Sequence, residues 1–141
     1  MTKLKFAKPK KVLKSKLKRR AWDMFSMYIR LSYVITAANG RFNICYTCDT
    51  IKPVSEMQAG HGIPGRNNAV LFMEKLVKPQ CVQCNIFKHG NLAIFTRKLI
   101  AELGVKEYDK LALEAEQTVQ YKTYQYQEIY DKYDKKFKAL I

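Results

Sequence analysis

Residues 45–48 read CYTC and residues 81–85 read CVQCN, and these two stretches decide the fold. Each contains a C-x-x-C pair, and together they hold all four cysteines of the chain. The two-residue gap lets both thiolates of a pair reach one ion, and four thiolates complete the closed tetrahedral shell of a structural zinc. We therefore expect one zinc ion per chain, with buried thiols that bind no metal as the alternative. The predicted ligands are Cys45, Cys48, Cys81 and Cys84.

The charge of the chain points to a polyanionic partner. Its 141 residues fit one domain, and 26 Lys and Arg against 12 Asp and Glu give a net charge of +14. Nucleic acid is the leading candidate, and a ribosome-associated or simply soluble basic protein is the alternative. Residues 1–18 are rich in lysine and contain no acidic residue, which predicts a flexible DNA-binding arm before a single domain at 19–141. The basic DNA-contact candidates here are Lys10, Lys11, Lys14, Lys18, Arg19 and Arg20.

The sequence predicts a cytoplasmic protein. The basic N-terminus lacks the continuous apolar run of a secretory signal, and no stretch approaches the roughly 18–20 apolar residues of a membrane span. We therefore expect no membrane partner. In a reducing compartment paired C-x-x-C motifs are metal ligands more often than disulfides, which agrees with the zinc interpretation.

Apolar spacing predicts an α+β fold. Trp22, Phe25 and Ile29 favour a helix over 19–38 that ends before Asn39-Gly40. Residues 41–91 carry short apolar runs and Gly, Pro and Asn punctuation, which indicate short strands and loops around the metal. Residues 92–141 have the period of helices, the first of them ending at Gly104. The tyrosines near the C-terminus are typical of a core or of a seam between two subunits, so a homodimer is a candidate assembly; base stacking is the alternative.

His61 and Asn85 carry the candidate chemistry. The zinc frame would hold Asn85 just after its last ligand and bring it towards His61, which lies between the two cysteine pairs. A neutral imidazole can accept a proton from water near pH 7, and an amide oxygen suits Mg²⁺. Together they could hydrolyse a phosphodiester, with His61 as general base and Asn85 as ligand of a catalytic Mg²⁺ or Mn²⁺. A structural histidine is the alternative for His61.

A family resemblance sharpens this hypothesis. The runs AGH at 59–61, QCVQCN at 80–85 and GN at 90–91 resemble the HNH nucleases of the ββα-metal class, and most closely the phage lambda NinG (Rap) recombination family. The basic start, WDMFSMYIR, NLAIFTRKLIAELG and the Tyr/Lys-rich end occur in the same order as in that family. The resemblance implies a small zinc-stabilised ββα-metal, treble-clef-like core flanked by N- and C-terminal helices. It also implies a Mg²⁺-dependent endonuclease for branched DNA such as Holliday junctions or D-loops, acting in the host bacterial cytoplasm.

The sequence departs from the wider HNH pattern at two positions. Gly60 replaces an acidic metal ligand that many HNH enzymes carry before the histidine, and Leu76 replaces the middle asparagine that ties down the loop. Asn67 or Asn68 is a candidate substitute for that tether. The absence of these two side chains favours the main alternative, a non-catalytic zinc-frame DNA-binding accessory protein. An HNH nuclease acting on ordinary duplex DNA is a third hypothesis.

Three further residues are candidates near this site. On a continuous helix His89 would share a face with Asn85, four residues earlier, and could be a second ligand of the catalytic metal; a surface or phosphate-contacting histidine is the alternative. Arg66 and Lys88 flank the predicted site and could hold the scissile phosphate, or they could simply face solvent.

Overall fold

Helices and two small antiparallel sheets follow one another in the computed structural model, which describes residues 10–65 and 67–141. The helices are α1 (Lys10–Leu31), α2 (Asn68–Leu71), α3 (Leu92–Leu103), α4 (Val105–Ala115) and α5 (Thr123–Lys138). The first sheet has the order β1 (Ile35–Ala37), β2 (Gly40–Ile44) and β3 (Ile51–Pro53); β4 (Met57–His61) and β5 (Val77–Cys81) form the second. Short 3₁₀ turns cover Val54–Glu56 and Glu74–Leu76, and a π-helical turn covers Gln83–Phe87. This mixture confirms the predicted α+β class.

Helix α1 begins earlier than predicted. It starts at Lys10 rather than at Arg19, because the Lys and Leu residues before Arg19 are good helix formers and extend the helix back through half of the predicted flexible arm. Residues 1–9, Arg66 and the side chains of Lys10 and Lys11 lie outside the described residues. Within the described part of the chain, no helix has the length and apolar character needed to cross a membrane.

Helix α1 also ends earlier than the predicted boundary at Ala38. It stops at Leu31, and the β-branched residues Ile35 and Thr36 enter β1, where they pair with Phe42 and Arg41 of β2. The Asn39-Gly40 pair therefore closes a β-hairpin instead of capping a helix. Gly40 has a φ of 136°, a conformation that residues with a side chain rarely adopt.

The larger core lies between α1, the second sheet and α5. Phe25 and Ile29 of α1 pack with Ala59 of β4, Val77 of β5 and Tyr133 of α5. The Phe25 ring meets Tyr133 edge-on at 4.8 Å. Two helices that are distant in sequence are thereby held against the hairpin of β4 and β5, and the candidate residue His61 ends β4 while Cys81 ends β5.

A second core lies on the side of α3. It contains Leu76, Phe95, Leu99 and Leu111, all buried. Helix α3 supplies the predicted apolar face and ends before Gly104, which has a φ of 85°. The first core covers one face of the β4–β5 hairpin, and the second core adjoins it through Leu76, the residue just before β5.

A partly buried ion pair joins α5 to the segment just before β5. Glu74, just before β5, accepts hydrogen bonds from Lys136 Nζ at 2.8 Å and from the Tyr133 hydroxyl at 3.1 Å. Burial opposes ionisation of Glu74, but the hydrogen bond and charge of Lys136 prevail and lower the pKa of Glu74 from its ordinary value of 4.5. The charged carboxylate therefore stabilises the folded state.

We predict that Glu74→Gln lowers stability at neutral pH and has a smaller effect in acid. A carboxyl whose pKa is lowered by folding adds stability above its unfolded-state pKa, and this stability is lost as the pH falls through the folded-state pKa. The free energy of unfolding of Glu74→Gln should be about 1 kcal/mol below that of wild type near pH 7, and this difference should shrink below pH 4.5. Thermal unfolding at both pH values, with exposed Glu116→Gln as control, measures it. An equal difference at both pH values would contradict the assignment.

Candidate functional site

The four cysteines converge on one point, as their spacing predicts. Their sulfur atoms all lie within 4.8 Å of one another, and the Sγ atoms of Cys48 and Cys81 are 3.7 Å apart. Cys48 is exposed at the rim, and the other three are buried. Within the described residues they are the one group of three or more Cys, His, Asp or Glu side chains that could share an ion. Four thiol donors at these separations fit a structural zinc.

Backbone hydrogen bonds shape the turn that carries the first cysteine pair. Asp49 N donates to Cys45 O at 2.9 Å, and Asp49 takes a φ of 62° to close the turn. Tyr46 N donates to Pro79 O at 2.9 Å, which attaches this turn to β5. The first pair therefore meets Cys81, the last residue of β5, through main-chain contacts.

The thiols differ in how readily they ionise. Burial opposes ionisation of Cys45, but hydrogen bonds from Thr47 and from the Cys81 backbone prevail and lower the pKa of Cys45 to about 6. Burial raises the pKa values of Cys81 and Cys84. Buried thiols with raised pKa values bind as thiolates only when a cation compensates their charge, so metal affinity at this site depends on pH.

Gln80 explains why residue 60 is a glycine. The Gln80 side chain is fully buried and donates from Nε2 to Thr47 Oγ1 at 3.0 Å and to Gly90 O at 2.9 Å. It therefore connects the first cysteine turn to the loop after the second pair. A Cβ atom on Gly60 would overlap the Gln80 side-chain oxygen. The acidic ligand of the wider HNH pattern has no room at this position.

His61 ends β4 and contacts both α1 and α2. Its ring stacks on Trp22 of α1, with centroids 5.4 Å apart and an interplanar angle of 17°. Its Nε2 lies 3.2 Å from the carbonyl oxygen of Leu71. Because a carbonyl can only accept, Nε2 is the protonated nitrogen in this contact. Nδ1 is then the nitrogen of the neutral ring that can accept a proton.

Helix α2 supplies the carbonyl that orients His61. Asn67 caps this short helix: its side chain accepts a hydrogen bond from Ala69 N at 3.0 Å, and its carbonyl accepts one from Leu71 N at 3.0 Å. Leu76, which stands at the place of the HNH middle asparagine, is buried in the α3-side core. Of the two predicted substitutes for that asparagine, Asn67 therefore contributes through α2.

Asn85 is held by a contact with β4. It lies in the π turn directly after Cys84, and its Nδ2 donates to Gln58 Oε1 of β4 at 2.7 Å. This contact turns the carbonyl oxygen of the planar amide away from Gln58. Asn85 lines a groove of about 370 Å³ between α1, β4 and the π turn, together with Trp22, Ser26, Arg30, Met57, Gln58, Ala59 and Ile86.

A second groove continues along α1 beside His61. Its volume is about 300 Å³, and its lining includes Lys18, Arg19, Trp22 and Leu71. Trp22 belongs to both grooves, so the two grooves share the side chain on which the His61 ring stacks. Sequence reasoning missed Arg30, although its eight-residue spacing from Trp22 places it on the same helical face.

The other predicted basic residues lie in different surroundings. Arg20 packs over the Tyr130 ring, with its guanidinium carbon 4.6 Å from the centroid, so it joins α1 to α5. Lys14 lies half-buried on α1, and Lys88 is exposed after the π turn. Arg19 forms an ion pair with Asp23 at 3.2 Å. Of the predicted basic residues described, Lys18 and Arg19 are those that line a groove near His61.

The geometric argument for His89 as a metal ligand is wrong. The π turn ends at Phe87, and His89 has a left-handed φ of 50°. Asn85 and His89 therefore do not share a continuous helical face. The Gly90 amide donates to Cys84 O at 2.9 Å, which turns the chain back at this point and leaves His89 exposed.

We predict that the protein retains about one zinc ion per chain through dialysis, because four thiolates bind zinc tightly. Cys81→Ser should lower zinc content and destabilise the fold, since structural zinc can contribute on the order of 10 kcal/mol. Gln83→Ser, an exposed change between two ligands, is the matched control and should keep the metal. Elemental analysis and thermal unfolding test this. Folded, freshly purified wild type without zinc would refute the zinc assignment.

The whole chain fits one family of proteins. The family model described as Bacteriophage Lambda NinG protein matches residues 2–141. No curated protein and no solved structure matches the chain. The match runs through the basic N-terminus, the four-cysteine site and the three C-terminal helices, and it includes His61 and Asn85. The chain therefore belongs to the bacteriophage lambda NinG family, which is associated with phage recombination.

Proposed function

We propose that this protein is a Mg²⁺-dependent endonuclease of HNH type that cuts branched recombination intermediates such as Holliday junctions or D-loops. The observation that carries the proposal is the orientation of His61. The Leu71 carbonyl and the Trp22 ring hold the imidazole with Nδ1 as its basic nitrogen, and Trp22 is the residue shared by two grooves on α1. The β4–β5 hairpin followed by the π turn also has the element order of a ββα-metal core.

In the proposed reaction His61 Nδ1 accepts a proton from the attacking water. Trp22 and the Leu71 carbonyl restrict rotation of the ring, so the nitrogen keeps one direction. Lys18 and Arg19 on one side, and Arg30 on the other, provide positive charge for the phosphates of the bound strand. The net charge of +14 attracts DNA from a distance.

The Asn85 carbonyl oxygen would hold the catalytic ion. Among the described residues that line its groove none is acidic, so the donor set suits an ion that keeps most of its water and gains phosphate oxygens from DNA. Mg²⁺ commonly binds proteins in this way. When bound, it supplies neutralisation of the negative charge that develops on the phosphate and the departing oxygen.

The second candidate is a DNA-binding accessory protein without catalytic activity. The observation in its favour is Gly60, where Gln80 excludes the acidic ligand that many HNH enzymes use. Purified protein incubated with a four-way junction and a duplex of matched arm sequence separates the candidates. Cleavage that requires Mg²⁺ or Mn²⁺ supports the nuclease. Tight junction binding without cleavage under any divalent cation supports the accessory protein, and cleavage of both substrates at equal rates indicates a general duplex nuclease.

We predict that His61→Ala abolishes cleavage and preserves zinc and junction binding. Loss of a general base typically lowers a rate by ~10²–10⁴-fold. Asn85→Ala should lose activity through weaker metal binding, so high Mn²⁺ should partly rescue Asn85→Ala and leave His61→Ala inactive. Single-turnover cleavage across a Mn²⁺ titration measures this, with exposed Glu116→Gln as control. A His61→Ala enzyme that cuts at the wild-type rate would disprove the mechanism.

We also predict that Asn67→Ala slows cleavage because it loosens α2 and therefore the Leu71 carbonyl that orients His61. Loss of a helix N-cap costs about 1 kcal/mol, and Asn67→Asp should restore the cap. The pH dependence of the single-turnover rate is the informative measurement, because misorienting the base should change the profile while zinc content and junction affinity stay constant. Equal profiles for wild type and Asn67→Ala would show that α2 does not position His61.

A further inference from the structure

The π turn exposes two large apolar side chains directly after Asn85. Ile86 is 52 % exposed and Phe87 is 67 % exposed. Val82, at the start of the same segment, is 38 % exposed. Single exposed apolar residues are common on protein surfaces, but adjacent ones beside a groove that contains an arginine indicate an interaction site.

The apolar tip formed by Ile86 and Phe87 is held rigidly. Cys84 is completely buried among the other cysteines, and Lys88 N donates to Gln83 O at 2.9 Å in the i to i+5 pattern of a π turn. Asn85 is anchored to β4 through Gln58. Contacts before, within and after the turn therefore fix the backbone that presents Ile86 and Phe87.

The tip borders the groove that carries Asn85. Ile86 lines this groove with Trp22 and Arg30, and Lys88 follows Phe87 directly. Two basic residues, Arg30 and Lys88, are thus neighbours of the tip, and none of the described residues that line the groove is acidic. An apolar tip next to basic side chains complements a ligand that has phosphates beside an accessible aromatic face. An unstacked nucleobase has that combination of properties.

We propose that Ile86 and Phe87 form a wedge that packs against an unstacked base at a DNA branch point. The inference rests on the proposed function and names the feature of the substrate that the same site recognises. In a continuous duplex each base is covered by its neighbours, whereas a branch point interrupts stacking and leaves base faces accessible. Apolar side chains enter such steps, and aromatic rings stack on bases of any sequence. The wedge therefore favours branched DNA over duplex without base-specific contacts.

The test measures binding without divalent cations, so that it does not depend on cleavage. A four-way junction and a matched duplex each carry 2-aminopurine, at the branch in the junction and at the same sequence position in the duplex. Wild type should change the 2-aminopurine fluorescence only in the junction. Phe87→Ala should abolish this change and reduce the junction-to-duplex affinity ratio by roughly tenfold. Phe87→Trp should retain both, because it keeps an aromatic face.

Tyr124→Ala is the matched control, since Tyr124 is also an exposed aromatic residue, at 57 %, and lies on α5. It should leave the junction-to-duplex ratio unchanged. Zinc content and thermal unfolding establish that each variant is folded. An unchanged ratio for Phe87→Ala would overturn the wedge, and if that variant still cuts junctions the proposed nuclease function stands. If Phe87→Ala instead changes the oligomeric state and lowers affinity for junction and duplex equally, the tip is a contact between two copies of the chain. That result also overturns the proposal.

Discussion

The convergence of four cysteine sulfurs is the constraint on which the rest of the structure depends. The strands of the first sheet have only three to five residues, and sheets this small are marginal without support. The cysteines join the turn after β2, the end of β5 and the π turn at one point. Gln80 reinforces this junction from inside by bridging Thr47 and Gly90. The position of Asn85 follows directly, because it is the next residue after the last cysteine.

Helix α1 has one face that packs in the core and an adjacent face that lines the grooves. Phe25 and Ile29 pack in the core against the β4–β5 hairpin and α5, so the helix is fixed in place. Trp22 and Arg30 lie on an adjacent face and line the grooves. Stability and the candidate site therefore share one element. The apolar residues that hold α1 also determine where Trp22 supports His61.

The sequence predicted the chemical groups of the candidate site better than it predicted how those groups are oriented. The cysteine cluster could be predicted because ligand spacing in C-x-x-C is a local property, and the face of α3 because its apolar period is regular. The early end of α1 could not, since Ile35 and Thr36 form a strand only through pairing with β2. The contact between His61 and the Leu71 carbonyl was equally hidden, because a backbone oxygen carries no sequence signature and its position depends on the tertiary placement of α2. The π turn likewise could not be predicted from CVQCNIFKHG. Because it ends at Phe87, His89 does not share a helical face with Asn85.

The departures at Gly60 and Leu76 have linked structural causes. Residue 60 must lack a side chain because Gln80 occupies that space, and Gln80 is needed there to brace the cysteine turns. Leu76 belongs to the α3-side core, and its carbonyl accepts a hydrogen bond from Gly62 N at 2.7 Å, which fixes the chain just after His61. Orientation of the imidazole then passes to α2 and Trp22. In the proposed nuclease, the base would keep its alignment while the metal loses one acidic ligand. Such a site would bind its ion mainly together with the phosphates of DNA, so that catalysis is completed only when the substrate is in place.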